Sequence, residues 1–188
     1  MESAADLYAR VAGAEAWAVL PLVVRRCHTA SPTGAAEGSF HISRGPSWLA
    51  GIVARLAGLP PPGRDVATRL AVRVVDGAQR WQRSFAGRPL HSTQYLTSDG
   101  WLAERRGPLE LHLALSVVGG ELHLCAEHAR LCLGPLRMPL AGWMRPEVRA
   151  RAWAAPGETA MQVDVRISAA IVGLVLRYEG RIEPAGEP

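Results

Sequence analysis

PLELHLALSVVGGELHLCAEH, residues 108–128, decides the fold. Leu109, Leu111, Leu113, Leu115 and Val117 occupy every second position, with Glu110, His112 and Ser116 between them. That is the period of a strand with one oily side. Gly119-Gly120 follows, a pair that suits a two-residue hairpin turn because both central positions need positive φ. Such a turn sets a register: Val118 against Glu121, Leu115 against Leu124, Leu113 against Ala126 and Leu111 against His128. On the other side Ser116 meets His123, Ala114 meets Cys125 and His112 meets Glu127.

The same alternation extends in both directions. Upstream, Val66, Thr68, Leu70, Val72 and Val74 share a face opposite Arg69 and Arg73; downstream, Met161, Val163, Val165 and Ile167 do so, then Val172, Leu174, Leu176 and Tyr178. Asp76-Gly77, Gly87-Arg88-Pro89, Asp99-Gly100 and Pro156-Gly157 supply the turns. Short turns make neighbours antiparallel. With one short strand near 37–43, about nine strands are expected, too many for a strongly twisted sheet to stay flat.

Before residue 60 the preference is helical. Leu7, Val11, Ala14, Trp17 and Ala18 recur at helical spacing, with Pro21 dividing the segment. Trp48, Leu49, Ile52, Val53, Leu56 and Leu59 then share one face of a helix ended by Pro60-Pro61-Pro62-Gly63. The expected class is α+β, mainly β. It comprises one domain over 1–188, with a helical part at 1–60 and antiparallel strands at 65–183, the latter forming a large curled sheet or open barrel with the helices packed on or plugging it.

Hydrophobic residues make up 48% of the 188 and charged residues 20%, the balance of a folded globular chain. The net charge is +4, and every basic residue is arginine. The arginines are scattered among 17 acids without the clustered stripe that nucleic-acid binding requires. Cys27, Cys125 and Cys132 are odd in number and form no CxxC pair, which argues against a disulfide framework and suits a reducing cytoplasm. The first residues lack the basic and apolar regions of a signal peptide, and Ala169 to Leu176 is too short to span a membrane.

Several residues invite a chemical reading. His112, His123, Cys125 and Glu127 are metal-ligand types on one face of the hairpin, yet strand geometry spreads them too far apart to share one ion. A solvated His112–Glu127 pair is the simpler expectation, and His128 reads as a hydrogen-bonded core histidine. Cys27 and His28 are adjacent, but consecutive helical residues do not face each other. No GxSxG, HExxH, Walker or GxGxxG pattern is present, so neither a catalytic residue, a metal nor a cofactor is assigned. Trp81, Arg83 and Phe85 alternate onto one strand face, placing a guanidinium between two aromatic rings. Facing inward, Arg83 would need an anion: an acidic ligand, or an internal acid such as Glu104.

The run RGPSWLAGIVARLAGLPPPGRDV ending at Val66, WQRSF at Trp81–Phe85, ERRGPLEL at Glu104–Leu111, RMPLAGWMRPEVRARAW at Arg137–Trp153 and VDVRISAAIVGLVLRYEGRIEP at Val163–Pro184 together resemble the bacterial domain of unknown function 4166 family. The resemblance implies shared structure at Trp81, Arg83, Phe85 and Tyr178-Glu179-Gly180. It also implies a possible Rossmann-type, NAD(P)-dependent oxidoreductase as partner, because the family's domain occurs attached after such modules. Three functions follow as expectations. The first is a binding module holding a small apolar or acidic amphipathic ligand, with Trp81, Arg83, Phe85, Glu104 and Tyr178 as its site. The second is an accessory or catalytic domain of an oxidoreductase, with Glu104, Arg83, His91 or Tyr178 converging in a pocket. The third is an interaction scaffold using the Pro135–Pro146 loop, where Leu136, Met138, Leu140, Trp143 and Met144 lie.

Overall fold

Alternation carries the sheet round a complete circle. The computed structural model describes residues 6–31, 34–140 and 142–185. Three short helices come first, α1 (Leu7–Ala12), α2 (Ala14–Ala18) and α3 (Leu22–His28). Strand β1 (Ala36–Ser43), helix α4 (Trp48–Leu56) and strands β2 (Gly63–Val75), β3 (Ala78–Phe85), β4 (Arg88–Leu96) and β5 (Leu102–Arg106) follow. Then come β6 (Leu109–Val118), β7 (Glu121–Leu133), β8 (Leu136–Leu140), β9 (Pro146–Trp153), β10 (Met161–Ala169) and β11 (Gly173–Pro184).

The strands neighbour one another in the order β6-β5-β4-β3-β2-β1-β11-β10-β9-β7, and β7 also pairs with β6. Ten antiparallel strands therefore close into a barrel, and β8 hangs outside it on the distal half of β7. The expected mainly β, α+β class is observed, with the sheet closed. Eleven strands among the described residues exceed the expected nine. One of them, β8, lies inside the segment read as a loop, where exposed residues and Pro139 give no burial alternation.

The two ends of the barrel differ. Turns at 76–77, 97–100 and 119–120 lie at one end, where α1–α3 fill the opening and bury Leu7, Tyr8, Leu20, Val23 and Val24. Gly13, at φ 83°, ends α1, and Pro21 starts α3, so the plug is three short pieces. The Ser31 amide donates to the Val72 carbonyl at 3.0 Å, tying the exit from α3 to the end of β2. The opposite end carries the turns at 86–87 and 107–108, helix α4 and the approach to β9.

Helix α4 is turned inside out. An amphipathic surface helix ordinarily lays its large apolar side chains on the core. Here Ala50 and Ala54 are fully buried, while Trp48 is 73% and Leu56 83% exposed. The small residues allow the helix to sit close to the barrel and leave the oily face in water.

Two backbone features test this architecture. Gly180 of β11 stands opposite Phe40 of β1, and a Cβ added there would lie 2.1 Å from the Ser39 carbonyl oxygen. Gly180→Ala is expected to lower stability by about 3 kcal/mol or more, since rigid backbone must move. Ala86 sits in the β3–β4 turn at φ 48°, where an L side chain is strained. Ala86→Gly should raise stability by about 0.5–1 kcal/mol, relief of strain outweighing the added freedom of the unfolded chain. Urea unfolding midpoints of the two variants measure both.

Candidate functional site

The inward faces of the strands do not fill the barrel. A cavity of about 500 Å³ remains, walled by Leu111, Leu113, Leu124, Val163 and Ile167 among others. The plug residues Tyr8 and His28 close its deep end, and Val53, Ala57, Arg106 and Met144 border its mouth.

One polar group interrupts the apolar wall, on neighbouring strands β3, β4 and β5. Arg83 and Glu104 side chains are only 17% and 22% exposed. Nη1 and Nη2 of Arg83 each lie 3.4 Å from the same Glu104 oxygen, and Nη1 donates to Ser92 Oγ at 3.0 Å. Gln94 Nε2 donates to the other Glu104 oxygen at 3.2 Å, while Gln94 Oε1 is a buried acceptor with no hydrogen-bond partner. A committed guanidinium–carboxylate pair closes to about 2.7–2.9 Å. This pair is looser, and the fork of Arg83 has capacity left. Arg106 adds a second cation to the lining, its Nη2 donating to the Gly58 carbonyl at 2.9 Å. Two guanidiniums thus face one carboxylate.

Aromatic rings frame that group. The Arg83 guanidinium carbon lies 4.9 Å from the Trp81 ring centre. Trp81 packs on Tyr8 at 5.8 Å and His28 at 5.5 Å. Phe85, Phe40 and Tyr178 form a second cluster at 5.5–6.2 Å. Burial shifts the titrations. It alone would lower the Arg83 pKa, but Glu104 together with Tyr178 and Tyr8 outweighs it and the net shift is upward. Arg106 is lowered, first by burial and then by the like charge of Arg83. Burial also raises Tyr8 and Tyr178. His28 falls to about 4, through burial first, although its Nδ1 hydrogen bond to the Val24 carbonyl at 2.8 Å acts the other way.

Trp81, Arg83, Phe85, Glu104 and Tyr178 therefore all line one cavity. His91 does not join them; it is exposed on the outer face of β4. Sequence reasoning missed Tyr8, His28, Ser92 and Gln94. Gln94 and Ser92 lie on the inward period of β4 and were readable in principle, whereas Tyr8 and His28 arrive from helices whose docking no local pattern specifies. Cys27 is buried, its thiol pushed up to about 12 by desolvation, so it is no ready nucleophile.

The outer face of the β6–β7 hairpin departs from the expected register. Pairing follows the turn as far as Leu113–Ala126, then shifts, so that His112 meets His128 and Leu111 meets Ala129. The expected His112–Glu127 and Leu111–His128 pairs are thereby overturned. The bulge also moves His128 off the apolar side, leaving it exposed with its ring 5.2 Å from Trp101. His112 is buried and bonds Glu110 at 3.1 Å. Glu110 in turn accepts from Tyr95 at 2.5 Å and faces Arg137 of β8 at 3.8 Å. Burial would raise the Glu110 pKa, but Tyr95, His112 and Arg137 more than offset it. The cluster anchors β8 to the barrel.

A family model described as Domain of unknown function (DUF4166) matches residues 20–182, all eleven strands but the last two residues of β11 included. The chain belongs to the DUF4166 family. Among solved structures, this DUF4166 chain is similar to a protein of unknown function from the DUF3598 family of Nostoc punctiforme, at 15% identity and a TM-score of 0.49. That alignment covers 82% of this chain and 48% of the Nostoc protein, about half its length. A secretory abundant heat soluble protein from Ramazzottius varieornatus aligns over 82% of this chain and 95% of its own, at 10% identity and a TM-score of 0.42. No curated protein matches the sequence.

The His28 shift sets a pH dependence. Its folded pKa lies below the unfolded value, so the unfolded chain takes up the proton first, and stability present above about pH 6.5 drains away toward pH 4. By pH 5 the loss should reach about 2 kcal/mol. Denaturant midpoints at pH 7.5 and 5 measure it, and His28→Leu should flatten the slope.

Proposed function

We propose that this DUF4166 domain binds a small amphipathic molecule with an acidic head, its tail in the barrel and its head at Arg83 and Arg106. The carrying observation is the under-matched charge: among the described residues, the guanidiniums of Arg83 and Arg106 meet a single carboxylate, Glu104, on the wall of a largely apolar cavity of about 500 Å³. Pockets of that size, apolar with a few convergent polar groups, suit drug-sized or fatty ligands. A carboxylate or phosphate would complete the Arg83 fork and offset the desolvation of Arg106. The partnerless Gln94 Oε1 is an acceptor for a hydroxyl on the same ligand.

A catalytic or accessory role beside an NAD(P)-dependent oxidoreductase would call for a group that exchanges a proton near neutral pH. Tyr8 and Tyr178 are raised and His28 is lowered, so all three stay neutral there. They offer hydrogen bonds and shape. The geometry therefore favours holding a ligand over transforming it.

Displacement of a fluorescent long-chain fatty acid tests the proposal. Saturable one-to-one binding is expected. Arg83→Gln should weaken it by about tenfold or more, the range for a lost charge-assisted hydrogen bond. The same variant should leave the affinity for the matching long-chain alcohol within about twofold. Absence of saturable binding, together with a single ligand-free mass for gently purified protein, would overturn the reading.

A further inference from the structure

The mouth of the barrel is bordered by a broken ring of exposed apolar side chains. On α4, Trp48, Ile52, Val53 and Leu56 are exposed, and Val53 also borders the cavity. Across the opening, the 3-10 turn Gly142–Met144 shows Trp143 at 63% and also Met144, which lines the cavity as well. Ile171, at the tip of the β10–β11 turn, is 65% exposed. These residues come from three segments far apart in sequence, all at the same end of the barrel. Isolated exposed apolar residues are ordinary, whereas a ring of them at one opening marks an interaction surface.

The charges at that end are one-sided. Arg44, Arg55, Arg64, Arg88, Arg105, Arg106 and Arg145 sit on its connections and strand ends, against Asp65, Glu110 and Glu147. The net charge of the whole chain is only +4, so the excess is concentrated where the oily ring is. Arg55 lies on the flank of the exposed face of α4, where its stem can follow the apolar surface while its head stays among polar groups. Tryptophan at two points of the ring, leucine and isoleucine between them and arginine around it is the composition that settles into the headgroup layer of a bilayer.

We infer that the open end of the barrel docks on an anionic phospholipid surface, with α4 and the Gly142–Met144 turn entering the headgroup layer and the arginines on lipid phosphates. A protein partner would need a matching apolar seat for each tip, whereas a fluid headgroup layer adapts to separate apolar tips set among arginines. Docking brings the cavity mouth against lipid. The inference thereby names the source of the amphipath in the preceding proposal, and rests on that proposal for this last step alone.

Sedimentation of the full chain with vesicles tests it, comparing equal phosphatidylglycerol and phosphatidylcholine with phosphatidylcholine alone. Binding to the anionic vesicles is expected, with a blue shift of tryptophan emission and release by high salt. Trp48→Ser combined with Leu56→Ser should reduce the bound fraction about tenfold, and Arg55→Gln about fivefold at low salt. Neither Trp48 nor Leu56 lines the cavity, so fatty-acid affinity in solution should be unchanged by the double substitution. Vesicle docking with no fatty-acid binding would sink the ligand reading and leave the surface standing. Failure to sediment with anionic vesicles overturns the surface. A wild-type dimer that the double substitution converts to monomer also overturns it, assigning the face to a second copy of the chain.

Discussion

A β-sheet must end in unpaired edges unless it meets itself, and in this chain it meets itself along β7. The proximal half of β7, from Leu122 to Cys125, holds β9 on one side while β6 holds the other. Everything else follows from that double engagement. Closure gives every strand an inside, and ten strands enclose more room than their own side chains fill, since an eight-stranded barrel is already just filled. The cavity is thus a consequence of strand number. The N-terminal helices fill one end, and among the described residues the cavity mouth lies at the other.

Inside, the arrangement is short of full compensation. Arg83 is held by Ser92, Glu104 and the face of Trp81, all at distances or in numbers that leave its donors incompletely used. A buried cation with only one loosely placed carboxylate is costly for a fold that merely needs to be stable, because hydrophobic replacements of such pairs are often neutral or better. Stability alone therefore does not account for the pair on a largely apolar wall.

Much of this was legible in the letters. The Gly119-Gly120 turn fixed six cross-strand pairs, from Val118–Glu121 to Leu113–Ala126, because a two-residue hairpin admits one register. Period-two alternation put Trp81, Arg83 and Phe85 on one face, and Glu104 was one of the two anions, beside an acidic ligand, that an inward Arg83 would require. The extra residue in β7 after Ala126 was not foreseeable: a bulge leaves composition and periodicity on either side intact while exchanging His128 for Glu127 opposite His112. Nor was the seating of α4, where pattern gives the amphipathic face but not which side meets the barrel. Tyr8 and His28 depend on contacts more than fifty residues away in the chain, which no local rule encodes.

As far as the described residues go, the barrel is filled at one end and open at the other. Any occupant leaves by the orifice through which it came, and whichever part enters first is the last out. Under the proposed function, retention would then be governed at that mouth and not along the length of the wall. The helix standing at that threshold buries two alanines against the barrel, and the Arg106 guanidinium holds the Gly58 carbonyl just past its end. A substitution that displaced α4 would therefore reshape the mouth without altering the chamber behind it.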